Sequence, residues 1–281
     1  MTVIIPDSVD AAVRALAEHP GATALAGGTD LMVEVNDGRR PLESIVAVGR
    51  IPELAGIRVA DGALDIGAAA TFSRLELDPV AQFAPALAYA ARTVGSPQIR
   101  NAATIGGNLA TASPAGDSLP VLLALGASVA VAGTDGRRDV PVADFFTGPK
   151  RSALRAGELV AGVRVPIRRG PQDYLKVGVR NAMVIAVASL AIAVDLDAHT
   201  ISVGLGSVGP TPLAARDACA WAAARADWDD DAVAMSADDI ARFGDRVAAA
   251  AQPIDDHRST ARYRRSAVRV LARRALRRCV G

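Results

Sequence analysis

The chain has 281 residues, 51% hydrophobic and 22% charged, an ordinary globular balance that argues against disorder. Thirty-one basic residues against thirty acidic ones give a net charge of +1, so no global field marks a nucleic-acid binder. Five Phe, three Tyr and two Trp are too few for base-stacking platforms. The two cysteines, Cys219 and Cys279, and the three histidines, His19, His199 and His257, are scattered, which excludes an iron–sulfur cluster, a structural zinc site and a disulfide framework. At roughly 150 residues per domain the length predicts two domains. The start, Met1 to Asp7, lacks a basic segment and is not expected to be a signal peptide. The longest apolar stretch, Ala182 to Val194, falls short of the ~20 residues that cross a bilayer. The expectation is a soluble, cytoplasmic protein with its thiols reduced.

In chain order, Ser8 caps a first helix that ends at His19-Pro20-Gly21. Ala22 to Ala26 reads as a short strand running into Gly27-Gly28, followed by a helical turn from Thr29 and a strand Ile45 to Val48. Ile57–Ala60 and Leu64–Ala68 flank Asp61-Gly62, a type I′ hairpin signal. A long helix is expected over about Val80 to Val94, then an apolar helix over Leu119 to Leu125 and strands around Ser128–Ala132 and Leu159–Val165. Arg168 to Pro171 reads as a linker. Beyond it come three strands (Tyr174–Val179, Val184–Val194, Ile201–Leu205) and three helices (about Leu213–Ala226, Ala237–Ala250 and Thr260–Arg278), an α+β order. Residues 258–281 contain nine arginines and no acid, interleaved with apolar residues at helical spacing, which predicts a helix with one packed face and one solvated or subunit-facing face.

Two glycine pairs stand out, Ala26-Gly27-Gly28-Thr29-Asp30-Leu31 and Thr104-Ile105-Gly106-Gly107-Asn108-Leu109. A diphosphate needs several main-chain N–H donors at close range, and glycine lets the backbone come that near. Thr29, Thr104, Asn108 and Thr111 could add side-chain donors, so two such loops could hold a dinucleotide without a lysine. From spacing alone, two plain tight turns fit equally well. Gly204-Leu205-Gly206-Ser207-Val208-Gly209 matches G-x-G-x-x-G, yet Pro210 and Pro212 interrupt the helix that should open there, so it reads as a structural turn. The sequence holds no P-loop and no nucleophile elbow, and Asp229-Asp230-Asp231 lacks the alternation of a calcium loop.

Taken together with Gly95-Ser96-Pro97-Gln98-Ile99-Arg100-Asn101, Thr111-Ala112-Ser113-Pro114-Ala115-Gly116-Asp117, Tyr174-Leu175-Lys176 and Arg258 to Arg265, the two glycine pairs resemble, in matching order, the FAD-binding subunit of the molybdenum hydroxylases. That family includes xanthine dehydrogenase, carbon monoxide dehydrogenase and aldehyde oxidoreductases. The Thr111–Asp117 run looks most like the xanthine dehydrogenase branch.

The resemblance implies an α+β chain. A two-part FAD-binding domain of the vanillyl-alcohol-oxidase/PCMH type would occupy residues 1–170, with subdomains of about 1–55 and 56–170. A C-terminal α+β domain, a three-stranded sheet with helices, would occupy 171–281. By the same resemblance FAD would be held by Leu25, Ala26, Gly27, Gly28, Thr29, Asp30, Leu31, Thr104, Ile105, Gly106, Gly107, Asn108, Thr111, Asp117, Val160 and Lys176. The diphosphate would lie between the two glycine loops, with Gly107 and Asn108 as donors and Val160 and Lys176 beside the flavin ring. Neither a metal site nor an acid–base residue for substrate is implied on this chain. Molybdopterin would sit on a large partner chain and [2Fe–2S] clusters on a small one, with NAD or another acceptor taking the electrons. Val94 stands where some relatives carry an aromatic residue near the cofactor, and no cysteine-bearing insertion is present for an additional cluster.

Overall fold

The computed structural model describes residues 2–280. Strand β1 (Thr2–Ile4) leads to helix α1 (Val9–Glu18), whose N-terminus is capped by Ser8 accepting the Ala11 N–H at 3.3 Å. Strand β2 (Ala22–Leu25), short helix α2 (Leu31–Asn36) and strand β3 (Ser44–Ala47) follow, and the strands form a parallel sheet in the order β1-β3-β2. Strands β4 (Ile57–Ala60) and β5 (Ala63–Gly67) make the expected hairpin, with φ of 49° at Asp61 and 69° at Gly62, as a type I′ turn requires.

Helix α3 (Phe72–Leu75) is next. The single helix expected over Val80–Val94 is instead two, α4 (Val80–Phe83) and α5 (Pro85–Arg92). Pro85 has no N–H to continue α4 and forces Ala84 out of helical geometry, to φ −137° and ψ 60°. Helices α6 (Pro97–Ala102), α7 (Ile105–Thr111) and α8 (Ser118–Ala124) then lead into a hairpin of β6 (Ser128–Gly133) and β7 (Gly136–Pro141). After α9 (Val142–Phe145), a small hairpin of β8 (Phe146–Gly148) and β9 (Arg151–Ser152) precedes the long strand β10 (Leu159–Pro166). Strand β10 is central in an antiparallel sheet ordered β4-β5-β10-β6-β7. The sequence reading lacked β7, β8 and β9, which carry mostly polar or short apolar patterns.

The last third is built on β11 (Gln172–Val177), β12 (Ala188–Asp195), β13 (Thr200–Gly206) and a two-residue edge strand β14 (Leu213–Ala214). The sheet therefore has four strands in that order, not the expected three. Leu213 and Ala214, read as the start of a helix, pair with Leu205 and Gly204, and helix α10 begins only at Arg216 (Arg216–Ala223). Strand β12 likewise starts at Ala188 rather than Val184, after a loop. A ribbon of β15 (Asp227–Trp228) and β16 (Val233–Ala234) leads to α11 (Ala237–Ala250) and α12 (Ala261–Cys279), the latter capped by Thr260. No helix among the described residues is long and apolar enough to cross a membrane.

Strand β12 explains the longest apolar stretch in the sequence, because it is buried on both faces. Ala191 and Ala193 enter a first hydrophobic core with α1, α5, α8 and the five-stranded sheet. Leu190, Ile192 and Val194 enter a second, beneath α10, α11 and α12. The face toward the first core is lined with small residues. A Cβ on Gly204 would lie 2.0 Å from the carbonyl oxygen of Pro120 in α8, and one on Gly206 3.1 Å from the Pro120 ring. The apparent G-x-G-x-x-G run is thus where β13 passes under α8. On α12, the apolar face is buried and Arg264 with it. Its guanidinium donates to the carbonyls of Val187 (2.9 Å) and Ser207 (2.7 Å) and to Asp256 Oδ1 (2.6 Å).

Strand β7 is tied to the loop before β10 by Arg138, which donates to both oxygens of Glu158 at 2.8 and 2.7 Å. These bonds hold the Glu158 carboxyl below the usual carboxylate range against the opposing effect of burial. A carboxyl lowered on folding stabilises the fold above its unfolded value, and that contribution disappears as pH falls through the folded value. Glu158→Gln should therefore lower stability by about 1–3 kcal/mol at neutral pH, with the gap closing in acid, as read from thermal unfolding across pH. Gly204→Ala should cost about 1–3 kcal/mol in urea unfolding, because its methyl group meets main chain that cannot rotate away.

Candidate functional site

The first glycine loop leaves the parallel sheet at the end of β2, where Leu25 accepts the Val48 N–H at 2.8 Å. Ala26 is pressed against Gly49, on which a Cβ would come within 3.2 Å of the Ala26 carbonyl. Gly27 approaches even more closely to the end of α6. A Cβ there would lie 1.8 Å from Ala102 O and 3.0 Å from Ala103 N. Gly28 adopts φ +70°, the left-handed region that favours glycine. Among the described residues, the main-chain N–H groups of Gly27, Gly28, Thr29, Asp30 and Leu31 donate to no protein acceptor. Five consecutive main-chain donors are thus left open beside the second loop, the kind of backbone group that suits an anion.

The second loop is organised differently. Thr104 caps α7, its hydroxyl accepting the Gly107 N–H at 3.1 Å, while the Asn108 N–H bonds to Thr104 O at 3.0 Å. Ile105 and Gly106 donate to Ala70 O (3.0 Å) and Ala68 O (2.9 Å), so α7 opens directly from the strand-like segment after β5. Gly106 is there to let that segment in, since a Cβ would meet the Ala68 methyl at 2.5 Å. The main-chain donors expected of Gly107 and Asn108 thus already have partners inside the protein. Asn108 engages its Oδ1 with the Ser118 hydroxyl at 2.6 Å, and its side-chain NH2 group has no acceptor among the described residues. Thr111 ends α7, just before Ala112 in left-handed geometry.

Lys150 joins the two loops, a role that the sequence did not signal. It sits in the turn between β8 and β9 and donates its N–H to Ala112 O at 3.0 Å. Its ammonium reaches Glu34 on α2 at 2.5 Å and Asp30 at 3.9 Å. The hydrogen bond from Lys150 lowers the Glu34 carboxyl below its ordinary range. Val160 is the second residue of β10, buried opposite Val131, and the neighbouring bulged residue Ala161 accepts the Ala68 N–H at 3.0 Å. Through Ala68, the strand carrying Val160 is thereby fastened to Gly106.

Asp117 and Lys176 meet at a buried ion pair. Asp117 occupies the N-cap position of α8 without capping it. Its Oδ2 accepts from Lys176 Nζ at 2.6 Å, and the two side chains are 8% and 9% exposed, respectively. Its Oδ1 accepts the hydroxyl of Tyr174 at 2.8 Å. Lys176 donates a second hydrogen to Thr93 O, the carbonyl at the C-terminus of α5, at 3.2 Å. Burial lifts the Asp117 carboxyl above its ordinary range, outweighing the pull of Lys176, Tyr174 and Thr93. Burial, and then the Asp117 charge, raises the Tyr174 phenol well above its ordinary value, so it stays a donor. Tyr174 was quoted in the sequence motif but given no role, and Thr93 was not singled out at all. A polar residue two positions before Lys176 on the same strand face is the signal that could have found Tyr174.

The residues expected from the sequence thus fall into one connected region. Gly27 touches the residues just before Thr104, Asn108 touches Ser118, and Ser118 follows Asp117. Residues 1–168 match the family model of the FAD binding domain in molybdopterin dehydrogenase, and residues 173–279 match that of the CO dehydrogenase flavoprotein C-terminal domain. The chain belongs to the FAD-binding subunits of the molybdenum hydroxylases. This FAD subunit is 32% identical to the glyceraldehyde dehydrogenase medium chain of Sulfolobus acidocaldarius, over 96% of this chain and 94% of that one. It is 34% identical to the xanthine dehydrogenase FAD-binding subunit of Escherichia coli O157:H7, over 72% of each. A chain of carbon monoxide dehydrogenase from Hydrogenophaga pseudoflava has the same fold, with a TM-score of 0.90 at 30% identity, covering 99% of this chain and 96% of that one. The α+β architecture is that of these medium subunits, and the FAD subunit is part of a dehydrogenase.

The side chains and backbone of the FAD subunit suit that cofactor on two counts. The open amides of the first loop lie where glycine alone allows close approach. One hydrogen of the nearly buried Lys176 ammonium also has no acceptor among the described residues. Gly27→Ala should push the first loop off Ala102 and weaken FAD binding at least ~10-fold in a fluorescence titration. Gly56→Ala, where a methyl group meets nothing within 4 Å, should leave the affinity unchanged.

Proposed function

We propose that this subunit receives electrons from [2Fe–2S] clusters on a small partner chain and passes them through FAD to NAD or another soluble acceptor. A large molybdopterin-bearing partner would hydroxylate the substrate, and the assembly would work in the cytoplasm. FAD suits such a junction because it takes up electrons one at a time and can release two together as hydride. The observation that carries the reading is the run of open amides at Gly27–Leu31, wedged against Ala102 and Ala103 at the head of α7. In this reading those amides and the Asn108 side chain hold the diphosphate, with Thr29, Thr104 and Thr111 lining it. Val160 and the Asp117–Lys176 pair stand by the flavin ring. Lys176 presents positive charge where reduction adds negative charge, which favours the reduced state. The FAD-binding domain is taken as residues 1–170, in parts of about 1–55 and 56–170, and the C-terminal domain as 171–281. The second core, drawn wholly from residues beyond 171, supports this division.

For the substrate, xanthine or hypoxanthine is the first reading, supported by the Thr111–Asp117 run and the 34% identity to a xanthine dehydrogenase subunit. An aldehyde or carbon monoxide is the alternative, supported by end-to-end similarity to medium chains of those dehydrogenases. A self-contained flavoprotein oxidase is a weaker third, since no residue set among the described residues is arranged for substrate chemistry. The expected result is that the tagged chain co-purifies with molybdenum- and iron-bearing partners, and that the assembly reduces NAD with purines. Turnover only with aldehydes or carbon monoxide would select the alternative. Oxidase turnover by the lone chain would overturn the electron-relay reading.

A further inference from the structure

We propose that Tyr174 is a positioning residue for the flavin, acting through Asp117 on Lys176. This deepens the reading above and rests on it. Asp117 is buried and both its oxygens are engaged, Oδ1 by the Tyr174 hydroxyl at 2.8 Å and Oδ2 by Lys176 at 2.6 Å. The Thr93 hydroxyl has one proton, and its shorter contact is to Ala90 O at 2.8 Å rather than to Asp117 Oδ2 at 3.3 Å. The carboxylate therefore relies on two donors, one neutral and one charged. Lys176 differs in having a donor to spare. Of its three N–H groups, one goes to Asp117 and one to Thr93 O, and the third has no protein acceptor among the described residues.

The arrangement follows from strand geometry. Tyr174 and Lys176 are two apart on β11, so they project from the same face, opposite Ala191 and Ser189 of β12. On β11 that face is closed against α5, and on the neighbouring β12 and β13 against α8, just before which Asp117 stands. A phenol donating to Oδ1 withdraws charge from the carboxylate and leaves more of the Lys176 charge unneutralised. Without the phenol the carboxylate becomes a stronger partner for Lys176, and the ammonium offers less to a flavin that gains negative charge on reduction. The tyrosine thus sets how strongly the lysine discriminates between the two redox states, without contacting the ring.

The test is the reduction potential of FAD bound to the full chain, together with thermal unfolding of the flavin-free chain. Lys176→Met should lower the ratio of reduced to oxidised flavin at a fixed reference potential by about 10-fold or more, and Lys176→Arg should retain most of it. Tyr174→Phe should move the ratio the same way by about 3-fold or more, and should add nothing in the Lys176→Met background. Because the chain has three tyrosines, uniform replacement by 3-fluorotyrosine gives an isosteric second probe. Tyr89 and Tyr263 are 46% and 53% exposed, leaving Tyr174 as the buried one. Its more acidic phenol should shift the ratio in the opposite direction to Tyr174→Phe. The proposal fails if Tyr174→Phe changes only the unfolding temperature, or if it shifts the potential equally with and without Lys176. It also fails if fluorination leaves the potential unmoved. A wild-type chain that binds no FAD sinks the functional reading and this inference with it, whereas normal binding with unmoved potentials sinks this inference alone.

Discussion

The contact between Gly27 and the Ala102–Ala103 main chain is the constraint on which the site depends. Two backbones can approach this closely only where a side chain is missing, and the approach joins a loop of the small parallel sheet to the start of α7 in the neighbouring unit. Since the first loop has its donors open and α7 has already used its own, the two glycine pairs are not equivalent. One keeps its amides open. The other, through Gly106, lets the Ala68 segment pass, and so fixes where Asn108 stands. Lys150 braces the same junction from outside, bonded to Ala112 at one end and Glu34 at the other.

A second close approach governs the charged half of the site. The glycines of β13 let α8 lie on the C-terminal sheet, and this carries Asp117 to Tyr174 and Lys176. A buried pair of opposite charges contributes little to stability by itself, because desolvation offsets most of the attraction. Its value lies in holding a positive group, with one open donor, at a place where water is nearly excluded. The break at Pro85 belongs to the same construction, since it starts α5 on the line that ends at Thr93 O.

Much of the fold was legible because its signals are local. Ser8 was read as a cap and is one, through its own hydroxyl, and Asp61-Gly62 can hardly form anything but a tight turn; the caps at Ser96, Thr104 and Thr260 carry the same kind of signal and were not read. The overestimated helix over Val80–Val94 came from weighing apolar spacing above Pro85. Leu213–Ala214 was read as helix because its pairing partners, Leu205 and Gly204, lie on a strand eight residues back. The motifs of the candidate site were visible in order along the chain. Which of their atoms remained available was not, since that depends on acceptors supplied by Ala68, Ala70 and Ser118.

The sequence by itself determined the Ser8 cap, the Asp61-Gly62 turn, the two glycine loops and the family they belong to, because each depends on residue type within a few positions. Only the tertiary structure decided that Gly27 meets Ala102, that Lys150 links α7 to α2, and that Tyr174 shares Asp117 with Lys176. Those contacts join segments far apart in the chain, and their geometry follows from the distance at which sheets and helices can pack, which no local pattern encodes.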